Sequence, residues 1–197
     1  MRVGVLASGS GTNLQALLDA PDTGVVAVAS DKPDARALER ARQAGVETAV
    51  FPRADFADRA ARDATMAAWL RDRGVQLVVL AGYMQLCSAE FLRRFPQRVI
   101  NVHPSLLPAF PGLRAIEQAI DYGAKVAGVT VFFVDEGVDS GAIILQRAIE
   151  VREGDDPETL HDRLRPLEHE LLPEAVRLIA AGRVTFDPAN PRRVVIG

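Results

Sequence analysis

The chain has 197 residues, a net charge of −3 and 48% hydrophobic residues, which is ordinary for a globular domain and far from the composition of disordered proteins. This charge gives no general attraction to nucleic acid or to an anionic membrane. Its single cysteine excludes an internal disulfide, and no Cys–His cluster has zinc-site spacing. Because the first apolar run is too short for a signal peptide or a membrane span, we expect a cytoplasmic protein that uses no metal.

Apolar runs and helical patterns alternate over the first hundred residues. Strands are expected over residues 2–7, 25–29, 47–51, 76–81 and 99–103, where apolar residues follow one another without alternation, as in strands buried on both faces. Helices are expected after the first strand and over residues 34–44, 54–73 and 88–95. This order predicts an α/β fold, a Rossmann-like open, mostly parallel sheet with helices on both faces.

The second half of the chain changes character. A short helix is expected over residues 115–122, and β-branched runs at 126–134 and 142–151 have no helix between them, which predicts an antiparallel strand pair added to the parallel sheet. A long helix follows Asp156, and we expect a kink or break near Pro166 because an interior proline disrupts helical hydrogen bonding. Residues 187–191 are expected to form an irregular surface connection.

A glycine-rich loop follows the first strand. Gly9 and Gly11 match the first two glycines of a dinucleotide fingerprint, but Leu14 stands where the third is required. Free backbone N–H groups at a helix N-terminus suit a phosphate, although the glycines could also serve only a tight turn. Asp31, after the second strand, could bind a ribose in a dinucleotide site or cap the helix near Pro33.

Asn101 and His103 come at the end of the fifth strand, two residues apart. Alternate residues of a strand project from the same face, so a carboxamide and a titratable imidazole are expected to share one pocket. A carboxylate near the imidazole favours its charged form, and Asp139, followed by Ser-Gly, is the best candidate. The alternatives remain a structural histidine and a solvated turn aspartate.

Several motifs together resemble a known family. The strings are SGSGTNLQA at residues 8–16, AGYM at 81–84, NVHPSLLP at 101–108 and VDSG at 138–141. The last two are typical of folate-dependent formyltransferases, and the opening loop resembles the phosphoribosylglycinamide formyltransferase family of purine biosynthesis. The similarity extends to about residue 182. It implies a formyltransferase fold and transfer of a formyl group from 10-formyltetrahydrofolate to the primary amine of glycinamide ribonucleotide.

The resemblance also implies roles for individual residues. Asn101 and a protonated His103 would stabilise a tetrahedral intermediate, with Asp139 keeping the imidazole charged. The ribonucleotide would be bound by Gly11, Thr12, Asn13, Glu168 and Arg165, the last of which stands where some relatives have glutamine and lies beside Pro166. The folate would be bound by Arg59, Met84, Gln85, Leu86 and Cys87, together with Asn101 and Asp139.

The expected organisation is one domain over residues 1–182, with a nucleotide-phosphate-binding half at 1–100 and a catalytic, folate-binding half at 101–182. Residues 183–197 would form a tail, and the enzyme would be a monomer or a homodimer. One alternative is a formyltetrahydrofolate deformylase, which passes the formyl group to water and typically has a preceding regulatory domain. An NAD-dependent oxidoreductase explains Gly9, Gly11 and Asp31 but leaves the Asn101, His103 and Asp139 constellation without a role.

Overall fold

The computed structural model describes residues 1–197, which form two compact units, Met1–Asn101 and Val102–Gly197. In the first unit the strands lie in the order β3-β2-β1-β4-β5, and their pairings are parallel. The strands are β1 (Val3–Leu6), β2 (Val25–Ser30), β3 (Glu47–Val50), β4 (Leu77–Leu80) and β5 (Val99–His103), the last of which runs two residues into the second unit. The helices are α1 (Thr12–Asp19), α2 (Arg36–Gln43), α3 (Arg59–Asp72) and α4 (Ala89–Arg94).

The centre of the first unit is apolar on both sides of the sheet. Every residue of β1 and β4 is buried, as expected for parallel strands covered by helices. The strand order reverses at β1, since β2 and β3 lie on one side of it and β4 and β5 lie on the other. In open α/β sheets ligands bind at such a switch point, outside the carboxyl ends of the strands. The glycine loop follows β1, and residues 81–88 follow β4.

In the second unit the strands lie in the order β6-β7-β9-β8, with β6 (Val126–Phe133) antiparallel to β7 (Ile143–Glu150). A hairpin of β8 (Val184–Asp187) and β9 (Asn190–Ile196) follows, and the helices are α5 (Ala115–Tyr122) and α6 (Pro157–Ala180). None of the helices in either unit combines the length and apolar character that a membrane crossing requires. The predicted α/β class, with a mostly parallel sheet and an added antiparallel pair, is confirmed.

The predicted break near Pro166 is wrong, because α6 continues through Pro166 and Pro173. Each interior proline costs a helix about 3 kcal/mol, whereas each fully buried Leu or Val contributes about 1.5–3 kcal/mol. The helix buries several such side chains completely, namely Leu160, Leu164, Leu171, Leu172 and Val176. Its first turn is also stabilised by a capping box between Asp156 and Thr159. Tertiary burial therefore outweighs the local cost of the prolines.

Two other boundaries differ from the prediction. Residues 187–191 are not an irregular connection, because Asp187 pairs with Asn190 in the turn of the β8–β9 hairpin. The helix expected over residues 54–73 begins only at Arg59, since the Asp58 side chain accepts a hydrogen bond from Ala61 N at 2.8 Å and caps it. A short 3-10 helix, Arg53–Asp55, precedes this cap.

Candidate active site

His103 is buried at the end of β5, and both of its ring nitrogens face acceptors. Its Nε2 lies 2.9 Å from the carbonyl oxygen of Phe110, and its Nδ1 lies 3.4 Å from Oδ2 of Asp139. A carbonyl oxygen can only accept, so Nε2 carries a proton and donates it. The structure thus brings together the predicted His103 and Asp139.

Asp139 is held by one backbone hydrogen bond to its carboxylate and by an unusual conformation of its own backbone. The N–H of Gly112 donates to its Oδ2 at 2.7 Å, and its own backbone adopts a left-handed conformation with φ of 49°. Phe110, whose carbonyl contacts His103, also has a positive φ of 52°. Such conformations cost non-glycine residues energy and are concentrated at functional sites. Both neighbours of the imidazole are therefore fixed by unusual backbone geometry.

The loop that follows His103 (residues 104–112, the His103 loop) is fastened to β6 and β7 by one buried hydroxyl. Thr130 Oγ1 donates to Ser105 O at 2.7 Å and accepts from Leu107 N at 3.1 Å and from Gln146 Nε2 at 2.9 Å. These three bonds use the full capacity of a hydroxyl. The Gln146 amide also donates to Leu107 O at 2.8 Å. Sequence reasoning missed Thr130 and Gln146, whose signal is a polar residue within an apolar β-branched strand.

An apolar cavity of about 110 Å³ lies beside the His103 loop. None of the residues that line it has a titratable side chain. The lining residues are Pro104, Ser105, Leu106, Ala109, Phe110, Ile116, Ala119, Val126, Ala127, Leu160 and Leu164. Acid–base chemistry therefore belongs to His103 and Asp139 and not to this cavity. Asn101 is half-buried and lies on β5 two residues before His103.

The glycine loop (residues 9–13) turns its carbonyl groups toward α2. Gly9 O accepts from Ala37 N at 3.1 Å, and Ser10 O accepts from Arg40 Nε at 2.9 Å. The two ends of a trans peptide point in opposite directions, so the N–H groups of Ser10 and Gly11 face away from α2. The first turn of α1, which begins at Thr12, has no side-chain cap. This arrangement offers backbone donors and a positive helix end to an anion.

Gly11 is the position in this loop that requires glycine. Its φ is +73°, and a Cβ there would lie 2.7 Å from Cα of Ala37, which is closer than nonbonded carbon atoms can approach. Arg40 braces the loop a second time, since its NH1 donates to Gln15 Oε1 at 3.0 Å. This role of Arg40 could not be predicted from the sequence, because it depends on contacts between residues 25 and 30 positions apart.

Asp31 makes a hydrogen bond that was not predicted from the sequence. Its Oδ1 accepts from Ser8 Oγ at 2.6 Å. The N-cap of α2 is Ala35, and no side chain caps that helix, so the expectation that Asp31 caps it is wrong. Ser8 in turn accepts from Met84 N at 2.9 Å. The carboxylate therefore lies in a chain of hydrogen bonds that leads to the loop after β4.

Residues 84–87 form a short segment after β4 with apolar side chains turned outward. Met84 and Leu86 are 58% and 55% exposed, which is unusual for side chains of this type. Burial, together with the nearby Asp63 carboxylate, raises the pKa of Cys87 to about 12, against the opposing effect of Arg62 and Arg59. The thiol is thus protonated at neutral pH and is not a nucleophile. Arg59 is exposed at the first turn of α3.

The two remaining predicted residues lie on α6. Glu168 is buried, with Oε1 4.0 Å from Nε2 of His161. Arg165 is half-exposed, and its NH1 pairs with Oδ1 of Asp162 at 3.0 Å, one turn earlier on the helix. No group of three or more His, Cys, Asp and Glu side chains is arranged to hold a metal ion.

Known proteins of one enzyme family are similar to this chain over most of its length. The model of the Formyl transferase family matches residues 1–176. The phosphoribosylglycinamide formyltransferase of Bacillus subtilis is 40% identical over 178 residues, which are 88% of this chain and 91% of that protein. The trifunctional purine biosynthetic protein adenosine-3 of Drosophila melanogaster is 44% identical over 95% of this chain, which spans only 14% of that larger protein's length.

Solved structures give the same result. The crystal structure of glycinamide ribonucleotide transformylase 1 from Symbiobacterium toebii matches 100% of this chain and 93% of its own, with a TM-score of 0.95 and 52% identity. The phosphoribosylglycinamide formyltransferase of Anaplasma phagocytophilum matches 100% of this chain and 94% of its own, with a TM-score of 0.91 and 38% identity. The resemblance noted in the sequence is confirmed, and the chain belongs to the formyl transferase family.

Proposed function

We propose that this protein is a phosphoribosylglycinamide formyltransferase of purine biosynthesis, which transfers a formyl group from 10-formyltetrahydrofolate to the primary amine of glycinamide ribonucleotide. The observation that carries the proposal is the His103 imidazole, held between the Phe110 carbonyl and the Asp139 carboxylate. It occurs in a chain that is 40% identical to a Bacillus subtilis protein of that name over nearly the full length of both.

In this proposal the glycine loop binds the 5′-phosphate of the ribonucleotide. The amides of Ser10 and Gly11 face away from α2, α1 begins at Thr12, and backbone amides at a helix start are suited to phosphate oxygens. Thr12 and Asn13 add side-chain donors next to Gly11. The family resemblance assigns the ribose hydroxyls to Glu168, whose carboxylate oxygens accept hydrogen bonds, and gives Arg165 a supporting role toward the nucleotide.

The folate is proposed to lie against residues 84–87. The exposed apolar side chains of Met84 and Leu86 offer a surface that a flat pterin ring would cover, while backbone groups of Gln85 and Cys87 would supply hydrogen bonds independent of side-chain identity. Arg59 carries a positive charge near Cys87, which suits the anionic glutamate tail of a folate.

The chemistry follows from a charged donor placed at a developing oxyanion. The amine of the ribonucleotide attacks the formyl carbon, a C–N bond forms, and the carbonyl electrons move to oxygen. A ring N–H of His103 and the carboxamide of Asn101 donate to that oxygen, and Asp139 stabilises the imidazolium. A water carries the proton from the attacking nitrogen to N10 of the folate, after which the C–N10 bond breaks and the carbonyl re-forms.

The contacts of His103 impose one requirement on these reaction steps. Nε2 already donates to Phe110 O at 2.9 Å, whereas the Nδ1 to Asp139 distance of 3.4 Å is long for a hydrogen bond. One ring N–H must exchange its protein partner for the substrate oxygen, and hydrogen bonds of this kind commonly tighten only in the reacting complex. A small movement of the His103 loop would both free one ring N–H for the substrate oxygen and tighten the contact with Asp139.

The test is to mix the purified protein with 10-formyltetrahydrofolate, with and without glycinamide ribonucleotide, and to follow the folate absorbance. Formyl loss that requires the ribonucleotide, with formylated ribonucleotide as product, is the expected result. Equal formyl loss without the amine would instead identify a deformylase, and no turnover of the folate would overturn the proposal. We further propose that the enzyme works in the cytoplasm as a monomer or homodimer, which sedimentation of the purified protein distinguishes.

A further inference from the structure

The backbone of residues 84–88 is held at both ends by buried polar groups from other elements. At one end Met84 N donates to Ser8 Oγ at 2.9 Å, and Ser8 Oγ donates to Oδ1 of Asp31 at 2.6 Å. At the other end Ser88 N donates to Oδ2 of Asp63 at 2.7 Å. Two carboxylates, Asp31 directly after β2 and Asp63 on α3, thus fix the two ends of one short segment.

At the Ser8 end the carboxylate orients a hydroxyl. Ser8 is only 4% exposed, and its one proton is directed to Asp31. The hydroxyl lone pairs then face the Met84 N–H. Without the carboxylate the hydroxyl could rotate and present its proton to that N–H instead. Asp31 therefore acts on Met84 through Ser8.

At the other end the carboxylate belongs to a buried ion pair. Arg62 and Asp63 are 1% and 0% exposed, and Arg62 donates to Asp63 Oδ1 from Nε at 3.1 Å and from NH2 at 2.9 Å. A buried ion pair is weak evidence for stability, because apolar residues of similar volume often stabilise a fold equally well. What apolar residues cannot supply is the second oxygen, Oδ2, which holds the Ser88 amide.

We propose that Asp31, Ser8, Arg62 and Asp63 are positioning residues that fix the backbone of residues 84–87 for folate. This inference rests on the proposed function, in which the folate binds that backbone. The side chains of Met84 and Leu86 turn outward and do not anchor the segment. Fixing both of its ends in advance lowers the cost of ordering it when a ligand binds.

Two substitutions with matched controls test the proposal. Ser8→Ala removes the hydroxyl that holds Met84. Its control is Ser30→Ala, because the Ser30 hydroxyl is 0% exposed and also accepts from a backbone amide, Lys32 N at 3.0 Å, but lies outside the network. Asp63→Asn keeps the shape of the side chain and removes its charge. Its control is Asp58→Asn on the same helix, where the carboxylate accepts from Ala61 N at 2.8 Å.

The kinetic result expected is selective for one substrate. Loss of one well-formed hydrogen bond corresponds to roughly a tenfold change in binding, so Ser8→Ala and Asp63→Asn should raise KM for 10-formyltetrahydrofolate about tenfold. KM for the ribonucleotide and kcat should stay within about twofold of wild type. Both controls should leave all three parameters unchanged. An unchanged folate KM in Ser8→Ala, or a fall in kcat alone, would overturn the proposal.

A second measurement does not depend on the proposed function. Amide hydrogen exchange of residues 84–88 without ligand should be faster in Ser8→Ala and Asp63→Asn than in wild type, Ser30→Ala and Asp58→Asn. Exchange as slow as in wild type would mean that the network does not fix the segment. If the wild-type protein does not turn over 10-formyltetrahydrofolate, the proposed function is wrong. The amide exchange rates still show in that case whether the network fixes residues 84–88. If Asp63→Asn does not fold, Ser8→Ala with its control is sufficient.

Discussion

The glycine loop and the His103–Asp139 pair differ in the chemical groups that they present. The loop offers backbone amides, and its shape depends on one glycine conformation and on carbonyl contacts to α2. The pair depends on an imidazole and a carboxylate, and both residues that contact the imidazole, Phe110 and Asp139, have a positive φ. Substitutions should therefore affect the loop through the space and φ available at Gly11, and the pair through charge. Binding of the nucleotide and catalysis should be separable by mutation.

The largest effect is expected from His103→Ala. Removing a group that manages charge and protons in the transition state typically costs 10²–10⁴-fold, so kcat should fall by about 10³-fold. KM for the ribonucleotide should change little, because the glycine loop is intact. Steady-state kinetics and circular dichroism of the same preparation provide the measurement. Turnover close to wild type in a folded variant would remove His103 from the mechanism.

Asp139→Asn should be the next most damaging change. The amide oxygen can still accept from Gly112 N, but the negative charge beside His103 is lost, so kcat should fall about 100-fold. Steady-state kinetics of the folded variant provide the measurement. Asp135→Asn is the control, because Asp135 lies in the same inter-strand segment and accepts from Ser140 Oγ at 2.7 Å. Equal losses in both variants would point to the loop's shape and not to charge.

Gly11→Ala should weaken nucleotide binding and leave the chemical step unchanged. The added Cβ meets Cα of Ala37 at 2.7 Å in a backbone with φ of +73°, so the loop must shift, and we expect KM for the ribonucleotide to rise about tenfold. The free energy of unfolding should fall by about 2–3 kcal/mol. Gly45→Ala is the control, because its φ is +72° with no atom within 4 Å, and it should cost only about 1 kcal/mol. A raised KM for the ribonucleotide in Gly45→Ala would show that a general loss of stability, and not the shape of the glycine loop, is responsible.

The smallest effect is expected from Arg40→Ala. The glycine loop loses its contacts at Ser10 O and Gln15 Oε1 but keeps the backbone bond from Ala37, so KM for the ribonucleotide should rise about fivefold. Arg42→Ala, an exposed arginine on the same helix, controls for the change in net charge. If both variants raise KM equally, long-range electrostatics and not bracing would explain the effect.

Much of the fold was predictable because its signals are local. Buried parallel strands show as unbroken apolar runs, and the antiparallel pair is indicated by the absence of a helix between residues 134 and 142. The continuity of α6 through Pro166 was not predictable, since it depends on burial against distant strands. The β8–β9 hairpin was missed because β8 has only four residues and β9 is largely exposed, and its clearest packing contact, Phe186 with Phe133 at 4.8 Å between ring centroids, is non-local.

The candidate site divides in the same way. Gly11, His103 and Asp139 belong to short motifs with recognisable chemistry, so sequence alone singled them out. Arg40, Thr130 and Gln146 were not found, because each acts through hydrogen bonds to residues that only the fold brings near. Asp31 was noticed, but its contact with Ser8 was not expected, and it does not cap α2. In this chain the residues proposed to contact substrate belong to recognisable motifs, whereas the residues that hold those residues in place do not.

Cys87 gives the protein a built-in chemical reporter. It is the only cysteine in the chain, so a thiol reagent can form a single product. Because burial and Asp63 raise its pKa to about 12, alkylation should be very slow at neutral pH while the segment after β4 keeps its conformation. Any ligand, partner or substitution that loosens this segment should accelerate labelling, and any that tightens it should slow labelling further. The rate of modification at one natural atom would thus follow the state of the proposed folate pocket without an engineered probe.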